Sequence, residues 1–194
     1  MNILIIGGTG FVGRHITARA IHRGHNVSLL NRCNDMSLFP QIKRYCKDRN
    51  NDIGVKINTD CVIDVSGYKK NQVKNILDNV DTDYYVFIST IGVTWNQQYI
   101  QILQDSIDLN NTIFKDYIDN KIECEKEIMN KVKNFMIFRP KYICGKYDNT
   151  YRFEYSNWPK VYWNNTNIEV DYTDVSELSY DIISKIENRE VGIV

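Results

Sequence analysis

The sequence has no surplus of either charge, few histidines, no paired cysteine motif and no long apolar run, and each absence removes a class of function. Lysine plus arginine and aspartate plus glutamate both number 24 in 194 residues. No like-charged block stands out, so there is no basic stripe for a nucleic acid or an anionic membrane surface, and neither partner is expected. No apolar segment approaches the ~20 residues of a membrane span. The N-terminus lacks a basic segment leading into an apolar stretch with a cleavage site, so Met1 to Ile6 reads as a strand. The three histidines, His15, His22 and His25, fall together and far from the cysteines, which argues against a finger-type metal site; no metal is expected. The five cysteines are odd in number, scattered and never in a C-x-x-C pair. They read as reduced thiols in a cytoplasmic protein.

What is present is a repeated alternation of short apolar runs and amphipathic stretches. Ile3 to Ile6 is continuously apolar, as expected of a strand covered on both faces of a parallel sheet. Phe11, Val12, Ile16, Ala20 and Ile21 then follow helical spacing, and Gly24 is placed to end that helix. Further strands are expected at Asn26 to Asn31, more weakly at Arg44 to Lys47, at Cys61 to Val65, at Tyr84 to Ser89 and at Phe135 to Phe138. Helices are expected at Asn71 to Asn79, Tyr117 to Lys133 and Val175 to Glu187. The βαβα order means an α/β fold with a parallel sheet. Length favours one domain over residues 1–194, with 146–194 as a reduced substrate-side segment packed on it. Within that segment Tyr151 to Tyr172 has no clean period and reads as irregular.

Between the first strand and first helix stand Gly7, Gly8, Thr9, Gly10, Phe11, Val12 and Gly13, satisfying both G-x-x-G-x-x-G and G-x-G-x-x-G. Glycines there permit a tight turn, close backbone approach to a pyrophosphate and close packing of helix on strand. The helix N-terminus adds unpaired N–H donors, so a dinucleotide is the expected ligand. At the end of the second strand, where a carboxylate would bind the ribose 2′-hydroxyl of NAD, the chain has Asn31-Arg32. A guanidinium can pair with a 2′-phosphate, so NADP is favoured over NAD. Arg32 could equally be a solvated arginine, and Asp48 either a turn former or an adenine contact.

Tyr117 and Lys121 form Y-x-x-x-K, which on a helix puts phenol and ammonium on one face. A nearby cation favours phenolate and brings the phenol toward the working range of an acid–base group. With 13 tyrosines the motif also arises by chance, and Tyr142 with Lys146 repeats it, but after Arg139-Pro140 and around Gly145, where a loop is expected. Position therefore selects Tyr117. Ser89 and Thr90 end a parallel strand, the edge at which open α/β sheets bind ligands, and Thr90 could hydrogen-bond the same substrate oxygen.

Taken in order, Ile3 to His15, Leu29-Leu30-Asn31-Arg32, Val62 to Tyr68 and Val86 to Thr90 resemble the short-chain dehydrogenase/reductase superfamily, in its extended or atypical epimerase/dehydratase-like branch. The resemblance implies a Rossmann-like doubly wound sheet and a catalytic set of Thr90, Tyr117 and Lys121, with Lys121 also holding the nicotinamide ribose. It places Ser66, Gly67, Tyr68, Pro140 and Tyr142 on the cofactor, and likens Tyr172 to Val175 to a late segment of the family. It implies an NAD(P)-dependent oxidoreductase or epimerase-like enzyme acting on a hydroxyl or carbonyl of a small molecule, conceivably a nucleotide-sugar. Members of the family run longer than this chain, which leaves the substrate site reduced, shared between subunits of a homodimer, or lost. The alternative is a non-catalytic NADP-binding regulator or scaffold.

Overall fold

In a computed structural model of the chain, the described residues are 1–34, 36–95, 112–148, 160–163, 166–169 and 172–194. Seven parallel strands make the central sheet: β1 (Asn2–Ile6), β2 (Asn26–Asn31), β3 (Lys43–Cys46), β4 (Ile57–Asp64), β5 (Val80–Ile88), β6 (Phe135–Phe138) and β11 (Gly192–Ile193). Their spatial order is β11-β6-β5-β4-β1-β2-β3. The order reverses at β1, between β4 and β2, which is the switch point where a doubly wound sheet opens a crevice beyond its carboxyl edge. The glycine turn leaves from that point.

Alternation along each buried strand divides the core in two. Ile3, Ile5, Leu29, Ile63, Val86 and Met136 face α1 (Phe11–His22) and α4 (Val175–Glu187), where Ile16, Ala20, Ile182, Ile183 and Ile186 cover them. Leu4, Ile6, Leu30, Val62, Phe87 and Ile137 face α2 (Lys70–Leu77) and α3 (Thr112–Lys131), covered by Val73, Ile76, Cys124 and Ile128. A strand apolar on both faces is what a sheet sandwiched between two helical layers requires. At the far end Arg23 makes a two-bond ion pair with Glu187, and His25 reaches the same carboxylate at 3.1 Å, tying α1 to α4.

β2, β6 and α4 have the limits expected from sequence, whereas β4 and β5 begin four residues earlier than expected. Asn58, Asp81 and Asp83 alternate with inward-facing partners at those strand starts, which breaks the continuous apolar run. A short parallel pair, β7 (Tyr142–Cys144) and β10 (Tyr172–Asp174), stands apart from the main sheet. Part of the stretch expected to be irregular is regular: β8 (Lys160–Trp163) and β9 (Thr166–Glu169) pair antiparallel. The rest of 151–171 lies outside the described residues.

The cysteines require a correction. Cys33 and Cys46 form a disulfide, with Cα atoms 5.3 Å apart, so the reading of all five as reduced thiols fails for these two. Pairing of β2 with β3 sets Asn31 opposite Cys46, and Cys33, in the left-handed region at φ 55°, turns back toward it. Sheet register joins residues that local spacing keeps apart. Cys61, Cys124 and Cys144 are free and buried.

Candidate active site

At Gly7 and Gly13 the glycine turn is shaped by contacts that leave no room for side chains. Gly7 has φ +81°, and a Cβ there would lie 2.8 Å from Ser66. A Cβ at Gly13 would sit 2.1 Å from the Gly7 carbonyl oxygen. Gly10 begins α1 with no side-chain cap, and the first turn carries no acidic residue. The opening N–H groups of α1 therefore have neither an intrahelical partner nor a capping side chain, and Phe11, Val12 and Gly13 line a cavity. Uncapped donors beside an open backbone cradle fit the pyrophosphate of a dinucleotide.

Two cavities meet at this turn, both bordered by Gly7, Gly10, Ser66 and Tyr68. The first, of about 680 Å³, holds Thr90, Tyr117, Lys121, Pro140 and Tyr142 together with Ser89 and Trp95. The second, of about 450 Å³, holds Thr9, Asn31, Arg32 and Asp48 with Lys47 and Arg49. The first thus gathers the residues expected at the reacting end, and the second those expected at the adenosine end. Gly8 and Gly67 line neither. Gly8 packs against Leu29 and Thr17, and Thr17 donates to the Gly8 carbonyl at 3.0 Å. Gly67 packs on the Phe87 ring.

Thr90 caps the 3₁₀ turn Ile91–Thr94, its Oγ1 accepting from the Gly92 N–H at 3.3 Å. The Ile91 N–H donates to the Pro140 carbonyl, holding the chain after β5 against the chain after β6. Tyr117 is half-buried, with its ring 6.1 Å from that of Tyr68. Lys121 is buried and donates to the carbonyls of Gly67 (2.8 Å) and Ile88 (2.7 Å), with its ammonium 5.9 Å from the Tyr117 ring centre. An ammonium has three protons, and two are committed to these backbone carbonyls, of which that of Ile88 belongs to a residue bordering the first cavity. Burial pushes the Lys121 ammonium down to about 8, against the pull of the Asp64 carboxylate. Tyr142 and Lys146 straddle strand β7 and the turn after it, so their spacing of four aligns nothing.

Beneath the floor lie two ionic networks. Asp64, fully buried at the end of β4, accepts two bonds from Arg49, at 2.5 and 2.6 Å, and one from the Tyr85 hydroxyl at 2.8 Å. Burial alone would raise the Asp64 carboxyl, but the Arg49 guanidinium outweighs it and holds the group below the usual carboxylate range. Burial, reinforced by the neighbouring carboxylate, pushes the Tyr85 phenol well up. Glu125 on α3 accepts from Ser89 and from both arms of Arg139, at 3.1 and 2.6 Å. Sequence reasoning passed over both networks, although a single aspartate inside the apolar run Cys61-Val62-Ile63-Asp64-Val65 signals a buried charge needing a partner.

The sequence model of the NAD dependent epimerase/dehydratase family matches residues 3–115, from β1 through the glycine turn and the end of β5. The chain belongs to this family. The family's cofactor class is a nicotinamide dinucleotide. Solved structures give the same fold. A putative epimerase from Burkholderia cenocepacia J2315 is 17% identical with a TM-score of 0.68, over 99% of this chain and 73% of that one. An anaerobillin reductase from Escherichia coli O157:H7 is 11% identical with a TM-score of 0.65, over 96% and 90%. UDP-N-acetylglucosamine 4-epimerase from Bacillus cereus is 15% identical with a TM-score of 0.62, over 100% and 77%. The search of curated proteins finds no match. Among the described residues no cluster of His, Cys, Asp and Glu could hold a metal ion, and no helix is long and apolar enough to cross a membrane.

Proposed function

We propose that the chain is an NADP-preferring oxidoreductase or epimerase-like enzyme acting on a hydroxyl or carbonyl of a small molecule, with a nucleotide-sugar among the candidates. The observation that carries this reading is the convergence of Thr90, Tyr117 and Lys121 on one cavity that continues into the glycine turn. When bound, the nicotinamide supplies a two-electron donor or acceptor; the chain's own residues hold the substrate oxygen and move its proton. Thr90 Oγ1 already accepts from Gly92, which leaves its own proton to donate to a substrate oxygen. Tyr117 exchanges the proton with that oxygen, and the Lys121 ammonium beside it favours the phenolate form. The second cavity supports the cofactor preference: Arg32 and Lys47 border it, and Asn31 stands where a carboxylate would repel a 2′-phosphate.

The test follows loss of reduced-nicotinamide absorbance across a panel of carbonyl substrates and nucleotide-sugars, with nucleotide affinity measured alongside. Tyr117→Phe should lower turnover by about 10²–10⁴-fold while NADPH affinity is kept. Full turnover by that variant would remove the proton-transfer role, and failure of the wild-type chain to bind either nucleotide would remove the reading altogether.

A further inference from the structure

The disulfide lies at the adenosine end of the cofactor site. Cys33 borders the second cavity directly after Arg32, and Cys46 directly precedes Lys47, which borders the same cavity. The two cations that border the cavity just after β2 and β3 are thus each one residue from a bridged sulfur. No ion pair of either side chain is found among the described residues, whereas Arg49 beside them is committed to Asp64. The bridge also reaches the glycine turn. The Cys33 N–H donates to Asn31 Oδ1 at 3.1 Å, the Asn31 amide donates to Thr9 Oγ1 at 3.3 Å, and the Lys47 N–H donates to the Asn31 carbonyl at 2.9 Å. Cys33 keeps a left-handed backbone conformation, φ 55°, which a non-glycine residue adopts at a cost unless its surroundings hold it.

We propose that the Cys33–Cys46 disulfide is a redox latch on the 2′-phosphate end of the cofactor site, bracing Arg32 and Lys47 as a two-cation clamp. The latch rests on the NADP reading above and adds Lys47 to it as a specificity-determining residue. An external dithiol opens it: the S–S bond breaks, Cys33 and Cys46 each gain one electron and one proton, and the dithiol leaves as its own disulfide. Cys46 is exposed and Cys33 half-exposed, so both sulfurs lie near solvent. Without the bridge, Cys33 can leave the left-handed conformation, and the residue beside it, Arg32, is no longer fixed against Lys47. Charge-assisted bonds to the 2′-phosphate weaken, while contacts shared with NADH stay.

The experiment measures NADPH and NADH affinity of the full chain, oxidised and after dithiothreitol, with the thiol count of each state taken by mass spectrometry. Reduction should weaken NADPH binding by about tenfold, the loss of roughly one charge-assisted bond. NADH should be unchanged, and reoxidation should restore NADPH. The C33S/C46S double variant should bind like the reduced chain and ignore dithiothreitol. Lys47→Ala should lower NADPH affinity in the oxidised state, spare NADH and shrink the redox response. Equal NADPH affinity in the two verified thiol states would overturn the latch. So would an equal loss of NADH, which would make the bridge a general support of the pocket. If the chain binds NADH but discriminates against NADPH in both states, the NADP reading fails and the latch with it. If neither nucleotide binds in either state, the cofactor assignment itself has failed, an outcome separable from failure of the latch.

Discussion

Two alanine substitutions in the glycine turn, three residues apart, should fail in different ways. At Gly13, inside α1, alanine would ordinarily stabilise the helix by about 1 kcal/mol. Here its Cβ would meet the Gly7 carbonyl oxygen at 2.1 Å and Gly8 Cα at 2.8 Å, both backbone atoms that cannot rotate away. Overpacking of that kind costs roughly 3 kcal/mol at the upper end of its usual range, so the net loss is about 2 kcal/mol. In a domain of this size that corresponds to a fall in melting temperature of about 4–8 °C. At Gly10 the nearest atom to an added Cβ is 3.6 Å away, and the backbone is extended with negative φ, so alanine fits. Its methyl, however, intrudes where Gly10 borders both cavities. Gly10→Ala should melt like the wild type and lose nucleotide binding, whereas Gly13→Ala should lose both. Thermal and denaturant unfolding, paired with NADPH titration, read the two effects apart. A Gly13→Ala protein as stable as the wild type would refute the packing argument, and a Gly10→Ala protein with unchanged affinity would refute the placing of the pyrophosphate.

Asp64→Asn leaves the buried Arg49 guanidinium without its counter-charge and should destabilise the chain by about 3–5 kcal/mol, measured as a shift in denaturant midpoint. Because the Asp64 carboxyl is held below its usual value, its contribution is present above about pH 4 and lost as pH falls through the folded value. The variant should therefore show a shallower acid limb of stability than the wild type; identical acid limbs would count against the pair. Lys121 is depressed as well, so its slope of stability against pH has the same sign, in a higher window. Its cation is lost as pH rises through about 8, so kcat/KM should fall on that side. Over the window from about 8 to about 10.4 the unfolded chain binds the extra proton, and the same group makes stability rise. A flat kcat/KM profile across that window would separate Lys121 from the chemistry.

The sheet and its cofactor turn were legible because parallel strands buried on both faces are written as unbroken apolar runs, as in Ile3 to Ile6 and Phe135 to Phe138. That Thr90, Tyr117 and Lys121 border one cavity was legible because each stands at a fixed place relative to a strand end or a helix face. The features that escaped are those made by pairing across the sheet. The Cys33–Cys46 bridge needs the register of β2 on β3, and the Arg49–Asp64 and Arg139–Glu125 pairs need loops and helices brought back over strand ends. The starts of β4 and β5 escaped for a local reason, since alternate residues there face water.

The parallel ribbon of β7 and β10 bears on how such a protein changes over evolutionary time. The chain runs along this ribbon once on leaving the sheet and again, in the same direction, before entering α4. The departure and return of the stretch between are clamped side by side, in a ribbon separate from the seven-stranded sheet. Its length and composition can therefore drift, or be exchanged for another insert, without asking the cofactor-binding frame to refold. On the function proposed above, substrate choice would sit in a segment separable from the cofactor turn, and new specificities could be sampled at little risk to the fold.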